Sequence, residues 1–278
     1  LRQIRSELAA AGVFCGHGYD SVHDEAVALL LSAAQLAPQQ TKSLLDEPFP
    51  ELAEARLITL IDQRCHQRLP LAYVLGEAWL AGKRFLSDSR ALVPRSPIAH
   101  LLADRLAPWW TIDNEPSTIV DVCCGGGSLG ILAAHAFPDA TILLSDVNGR
   151  ALKLARENIE LHNLSSHSHC IQADLLTALN PESVDVILAN PPYVSHENMM
   201  GLPPEYRHEP RIALAAEENG LQTPYKLLME ASQVLTSQGL LVLEVGEAVA
   251  QMEHRLPKVP FIWIDLPPGG AGVTAISA

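Results

Sequence analysis

Asn190-Pro191-Pro192-Tyr193 closes a run of apolar residues, Val184 to Ala189. A proline biases the residue before it toward extended backbone, so Asn190 and Pro191 are expected to be extended at the end of a strand. Neither proline offers an N–H. The local face therefore presents two acceptors, the side-chain oxygen of Asn190 and the carbonyl of Pro191. A planar –NH₂ group has two protons, and these acceptors can hold both. Tyr193 can cover the flat amide or base by stacking. The plain alternative is a proline-rich strand terminator.

A second constellation lies upstream. Asp121-Val122-Cys123-Cys124-Gly125-Gly126-Gly127-Ser128-Leu129-Gly130 joins a strand to a helix and satisfies G-x-G-x-x-G through Gly125, Gly127 and Gly130. Consecutive glycines allow a tight turn and a close approach of backbone to ligand. Asp146 follows at the end of the next strand, where a carboxylate can accept hydrogen bonds from ribose hydroxyls. Asp174 could accept an adenine amino group or cap a short helix over Leu175–Leu179. This loop alone suits a nicotinamide dinucleotide as well as S-adenosylmethionine. The tetrad separates the two readings. An amide nitrogen is a weak nucleophile, and it gains positive charge as it attacks a sulfonium methyl. Two acceptors on its protons then bind the transition state more strongly than the ground state. In-line positioning supplies the rest, with no metal and no strong base.

The elements that must position these groups are legible in the periodicity. Residues 1–69 read as helical. Ala26, Val27, Leu30, Leu31 and Ala34 form one helical face, and Leu52, Ala55, Ile58, Leu60 and Ile61 another, with breaks at Pro38, Pro48 and Pro50. Residues 70–97 read as a hairpin linker, with short strands over Trp79–Phe85 and Ala91–Val93. From residue 98 strands and helices alternate: strands at Ile119–Val122, Thr141–Ser145, Cys170–Gln172, Val184–Leu188, Leu240–Val245, Phe261–Leu266 and Val273–Ser277. Helices are expected at Ser128–Phe137 and Arg150–His162. Such alternation predicts a parallel, doubly wound sheet with ligands bound beyond the carboxyl ends of the strands.

Composition narrows the class. Apolar residues make up 48% of 278 residues, enough for a sizeable core, and the net charge is −13. No apolar run approaches the roughly 20 residues a membrane helix needs, and no basic-then-apolar leader suggests export. No basic surface for phosphate contacts is evident, whereas a basic protein partner suits the charge. Five cysteines without Cys-x-x-Cys point to a reducing cytoplasm. His162, His167, His169 and Cys170 crowd one stretch without a complementary ligand pair at metal spacing, so no metal is expected. Cys123 and Cys124 lack a partnered histidine and read as loop packing. Trp109-Trp110 reads as packing, and Arg207, His208 and Glu209 as a substrate entrance, a solvated loop or an internal ion pair.

The glycine loop, Asp146 and the tetrad resemble those of class I S-adenosylmethionine methyltransferases that modify exocyclic or amide NH₂ groups, most closely the protein-glutamine N5 methyltransferases. The resemblance covers nearly the whole chain. Leu92-Val93-Pro94-Arg95-Ser96-Pro97-Ile98, Leu202-Pro203-Pro204-Glu205-Tyr206-Arg207-His208-Glu209-Pro210, Gly16-His17-Gly18 and the helix start Asp24-Glu25-Ala26 look like the branch that methylates large-subunit ribosomal protein L three. The sister release-factor enzymes usually carry Ile-Pro-Arg-Pro and an acidic pair in the linker. Cys124, Gly126 and Ser128 depart from the usual Thr, Ser and other small residue.

The resemblance implies an α/β, Rossmann-like methyltransferase domain at 98–278, a β-hairpin linker at 70–97 and a helical substrate-recognition domain at 1–69. It implies S-adenosylmethionine as methyl donor, S-adenosylhomocysteine as product, and a cytoplasmic location. Asp121, Cys123, Gly125, Gly127, Asp146, Asp174, Leu175 and Asn190 would bind the cofactor. Asn190, Pro191, Pro192 and Tyr193 would bind the acceptor, with Asn190, Pro191 and Tyr193 catalytic. The expected partner is ribosomal protein L three, with no membrane and no sequence-specific nucleic acid. A release-factor methyltransferase, a nucleic-acid amino-N methyltransferase and a non-catalytic ribosome-assembly module remain as alternatives.

Overall fold

The structure is a computed structural model that describes residues 1–37, 40, 49–110, 113–266 and 272–278. Among the described residues the chain opens with the helices α1 (Arg2–Ala11), α2 (Val22–Ala33) and α3 (Glu51–Cys65). The breaks expected at Pro38 and Pro48 lie outside the described residues, and Pro50 caps α3. The Ser21 hydroxyl starts α2 by accepting from the Asp24 N–H at 3.2 Å. Ile4, Leu8, Ala26, Leu29, Cys65 and Leu71 form the core of this layer. The apolar face expected on α3 is only half right. Leu52 is 86% and Ile58 69% exposed, while Leu57, Leu60 and Ile61 pack inward. The inward stripe runs 57, 60, 61, 64 and ends on a fully buried arginine, Arg64. Its guanidinium is paired with Glu25 through Nε–Oε2 at 2.8 Å and Nη2–Oε1 at 2.9 Å. A pattern scored on apolar residues alone cannot see a paired charge acting as the last core position.

A short helix α4 (Leu71–Leu75) leads into the hairpin β1 (Glu77–Leu80) and β2 (Lys83–Leu86). The hairpin pairs Leu80 with Lys83 across Ala81 and Gly82, both at positive φ, as a two-residue type I′ loop requires. The strand expected over Ala91–Val93 is absent. That stretch is buried and irregular because the Val93 N–H donates to a side chain, Glu209 Oε1 at 2.9 Å, and not to a strand.

After α5 (Ile98–Ala103) come β3 (Thr118–Val122), α6 (Ser128–Ala136), β4 (Thr141–Asp146), α7 (Gly149–Leu161), β5 (Ser168–Gln172) and β6 (Val184–Ala189). Then follow α8 (His196–Gly201), α9 (Arg211–Leu214), α10 (Gln222–Val234), β7 (Leu235–Glu244), α11 (Val249–Arg255), β8 (Trp263–Ile264) and β9 (Val273–Ser277). The sheet order is β5-β4-β3-β6-β7-β9-β8. One face, with Ile119, Val186 and Val242, packs on α5 and α6, and Trp109 and Trp110 lie against this core. The other, with Val120, Ile187 and Leu243, packs on α10 and α11.

The sheet corrects three expectations. It is parallel from β5 to β7, but β9 runs antiparallel to both β7 and β8. Only Trp263 and Ile264 of the expected Phe261–Leu266 strand pair. Leu175–Leu179 forms a turn rather than a helix, and Asp174 contributes its backbone carbonyl, not its carboxylate, to that turn. The parallel order reverses between β3 and β6, so a crevice opens beyond their carboxyl ends. Val122 is in register with Ala189. Cys123 and Asn190 therefore leave the sheet side by side.

Candidate active site

Two cavities meet at that crevice. The first is walled by Cys123, Gly125, Asp146, Asp174, Leu175, Asn190 and Pro192. The glycine loop is held by Asp146, whose Oδ2 accepts the Gly125 N–H at 2.9 Å and whose Oδ1 accepts the Asn148 N–H at 2.8 Å. Each carboxylate oxygen keeps a second lone pair for a ligand hydroxyl. Burial pushes the Asp146 carboxyl upward, against these two N–H bonds. Cys123 and Leu175 hold left-handed backbone at φ 56° and 51°, which costs a non-glycine residue about 1–3 kcal/mol and concentrates at functional sites. Burial raises both the Cys123 and Cys124 thiols, which suits packing rather than nucleophilic use.

Asp121 and Gly127 are not on this wall. Asp121 is buried under the loop and accepts the Gly130 N–H at 2.8 Å. Burial, reinforced by the nearby Asp146 charge, raises its carboxyl to about 7 despite that N–H. Gly127 sits at φ 82°, where a Cβ would lie 2.7 Å from Leu144 Cδ2 and 3.2 Å from Ala155 Cβ. Its function is close packing of loop, strand and α7. Asp174 is exposed at the cavity rim, with Lys226 Nζ at 2.6 Å.

The second cavity, about 450 Å³, is walled by Asn190, Pro191, Tyr193, Arg95, Tyr206 and Glu244 among others. Asn190 lines both cavities. Among the described residues its side-chain amide makes no protein hydrogen bond. Tyr193 is fixed at its hydroxyl and at its ring, and the carboxylate that holds the hydroxyl is itself anchored. Its hydroxyl donates to Glu244 Oε1 at 2.8 Å. Ser96 Oγ donates to the other oxygen of that carboxylate at 2.6 Å. Its ring occupies the place of a Cβ on Gly246, which would lie 2.5 Å from Cε2. Burial raises the Glu244 carboxyl, with Ser96, Tyr193 and Arg95 opposing.

Sequence reasoning missed Ser96 and Glu244 and left Glu209 undecided. Glu209 is an internal ion pair. Arg95 grips it with two bonds, Nη1–Oε1 at 2.7 Å and Nη2–Oε2 at 3.0 Å. His17 Nε2 lies 3.4 Å from Oε2. Burial pushes Glu209 up, but Arg95 and His17 outweigh it and hold the carboxyl at about 2. The available signal was the pairing of two segments noted for their resemblance, Leu92–Ile98 and Leu202–Pro210. The structure places them in contact.

His162, set aside as a metal ligand, donates from Nε2 to the Arg84 carbonyl at 2.8 Å, and its Nδ1 lies 3.1 Å from His135 Nε2. Among the described residues no cluster of three His, Cys, Asp or Glu side chains could hold a metal.

Residues 100–202 match the methyltransferase small domain family. The fold is similar to the catalytic domain of hMettl16 in complex with the MAT2A 3′UTR hairpin 1, with a TM-score of 0.52 and 16% identity over 82% of this chain and 80% of that one. Two relatives are far closer in sequence. The ribosomal protein uL3 glutamine methyltransferase of Francisella tularensis is 36% identical over 277 residues, 100% of this chain and 88% of the relative. The protein of the same name from Bordetella pertussis is 42% identical over 265 residues, 95% of this chain and 89% of the relative. With 36% identity over 100% of the chain to one relative and 42% over 95% to the other, the chain belongs to the ribosomal protein uL3 glutamine methyltransferase family.

Proposed function

We propose that this chain methylates the side-chain amide nitrogen of a glutamine in ribosomal protein uL3, the large-subunit protein L three. S-adenosylmethionine, when bound, supplies the sulfonium methyl and leaves as S-adenosylhomocysteine. The first cavity suits it: Asp146 keeps free lone pairs that would accept from the ribose hydroxyls, and Asp174 and Leu175, on the same cavity wall, would hold the adenine. Gly125 and Cys123 bring backbone to the cavity wall. The acceptor amide enters the second cavity. There the Asn190 oxygen and the Pro191 carbonyl accept its two N–H bonds, and Tyr193, anchored by Glu244, covers its face. Holding both protons fixes the nitrogen lone pair in line with the methyl and stabilises the charge that develops on nitrogen, and the alkylated nitrogen, now acidic, loses one of the two protons to solvent.

The observation that carries this reading is the position of Asn190, shared by both cavities, with a side-chain amide that makes no protein hydrogen bond among the described residues. The net charge of −13 suits a basic ribosomal protein as partner, and a cytoplasmic location follows from that substrate. Residues 1–69 would contribute to its recognition. Incubation with labelled S-adenosylmethionine, purified uL3 and purified release factors, followed by identification of the labelled peptide, tests the assignment. Label on a uL3 glutamine is expected. Preferential labelling of release factors would move the chain's activity to the sister reaction, and calorimetric preference for NAD would remove methyl transfer altogether.

A further inference from the structure

We infer that Tyr206 is a specificity-determining wall of the acceptor cavity, and that the helical front domain completes the site by holding Tyr206 in place. The inference rests on reading that cavity as the glutamine-amide site. Tyr206 lies in a 3₁₀ turn, Pro204–His208, within the excursion between β6 and β7. The turn belongs to no sheet, so its position must come from what grips it. Both flanking carboxylates are buried, Glu205 at 0% and Glu209 at 4% exposure. Each is held by residues distant in sequence.

Glu205 Oε1 receives Arg64 Nη1 at 2.9 Å, Arg68 Nη2 at 2.7 Å and the Phe14 N–H at 3.0 Å. Glu209 receives Arg95 and His17. Between these anchors the Tyr206 ring packs on His17, centroids 4.6 Å apart, and on Phe14 at 5.9 Å. The Arg95 guanidinium lies 5.2 Å from the ring centroid. Phe14, His17, Arg64 and Arg68 all belong to the first 69 residues. Tyr206 thus lines the cavity beside Asn190, Pro191 and Tyr193 while its back rests on the front domain.

The two tyrosines differ in a way that assigns them different tasks. The Tyr193 hydroxyl is occupied by Glu244. The Tyr206 hydroxyl takes no protein hydrogen bond among the described residues. It therefore remains a donor and acceptor for the polypeptide that carries the glutamine. A wall built from one aromatic face and one free hydroxyl discriminates among acceptors by what surrounds the reacting amide. A purely structural clamp would instead affect all acceptors alike.

Steady-state methylation of uL3 and of a release factor by Tyr206→Ala, Tyr206→Phe and His17→Ala enzymes separates these. Tyr206→Ala should raise KM for uL3 roughly tenfold, the scale of one lost aromatic contact. Turnover and S-adenosylmethionine affinity should stay within about threefold of the unsubstituted enzyme, and the preference for uL3 over the release factor should contract. Tyr206→Phe, which keeps the ring and loses the hydroxyl, should recover only part of the KM. His17→Ala, whose side chain is not on the cavity wall, should raise KM in the same direction by less. Tyr206→Leu keeps bulk without an aromatic face and replaces the alanine variant if that one does not fold. An unchanged KM in a folded Tyr206 variant, or a loss of melting temperature and turnover at constant KM, overturns the inference while leaving the proposed function intact. Failure of the unsubstituted enzyme to methylate uL3 sinks both.

Discussion

Two buried carboxylates, one under each cavity, are treated in opposite ways. Asp121 supports the cofactor loop, and among the described residues no cation pairs with it. It accepts one backbone N–H, and its carboxyl rises to about 7. Glu209 lies beside the second cavity, the proposed acceptor site, in a bidentate grip from Arg95, and its carboxyl falls to about 2. The difference follows from construction. The first cavity, the proposed cofactor side, is built at the carboxyl ends of the adjacent parallel strands β3 to β6, around a glycine loop held by backbone N–H bonds. The acceptor side is assembled from distant segments, 17, 95, 193, 206, 209 and 244, and only charged pairs and buried hydroxyls can fasten such irregular stretches together.

The sharpest way to break this comparison is to remove the cation. Arg95→Ala leaves buried Glu209 with only His17 and the Val93 N–H and should cost about 3–5 kcal/mol in denaturant unfolding, because a buried charge loses its charged partner. Asp121→Asn keeps size and an acceptor for the Gly130 N–H, and should cost less than about 1 kcal/mol at pH 7. Similar losses from the two variants would erase the distinction.

The pH dependence of stability should carry opposite signs. Folded Glu209 stays ionised until about pH 2, whereas the unfolded chain takes up that proton near 4.5. Its contribution, on the order of 3 kcal/mol, is full above 4.5 and drains as pH falls toward 2. Folded Asp121 keeps its proton to about pH 7, whereas the unfolded chain loses it near 3.8. Its contribution is full below 3.8 and drains as pH rises toward 7. The Asp121→Asn variant should flatten that second slope; an unaltered slope would mean another group causes it.

Smaller effects sharpen the cofactor side. Asp146→Ala should weaken S-adenosylmethionine binding by about 1–3 kcal/mol in calorimetry and leave KM for uL3 within about threefold. An equal effect on both ligands would show that the two cavities are not separable. Lys226→Ala removes an exposed partner of Asp174 and should change cofactor affinity by less than about 1 kcal/mol. A larger change would place Lys226 itself at the ligand.

The same difference in construction explains what could be read beforehand. Gly125, Asp146 and the Asn190–Tyr193 tetrad follow fixed chain spacings at strand ends, so periodicity and turn chemistry located them. Arg64 was missed as a core residue because its burial depends on Glu25 and Glu205, and no local pattern encodes a pairing with Glu205, 141 residues away. Glu244 ends an apolar strand and looks like its polar terminus. Only the return of Tyr193 and Ser96 to it reveals an anchor. Val93 reads as strand by composition, but its N–H is taken by Glu209. Gly127 was legible as a necessary glycine, but not that Leu144 of β4 and Ala155 of α7 fill the space beside it.

The central claim is that Asn190 joins the two cavities by holding the acceptor amide through its charged transition state. Single-turnover methylation of uL3 by Asn190→Ala, with saturating S-adenosylmethionine, tests it most directly. The rate should fall by roughly 10²–10³-fold, as when one preorganised hydrogen-bonding partner is removed from a transition state. Cofactor affinity and melting temperature should remain close to those of the unsubstituted enzyme. A folded Asn190→Ala enzyme with a near-normal single-turnover rate would contradict the account.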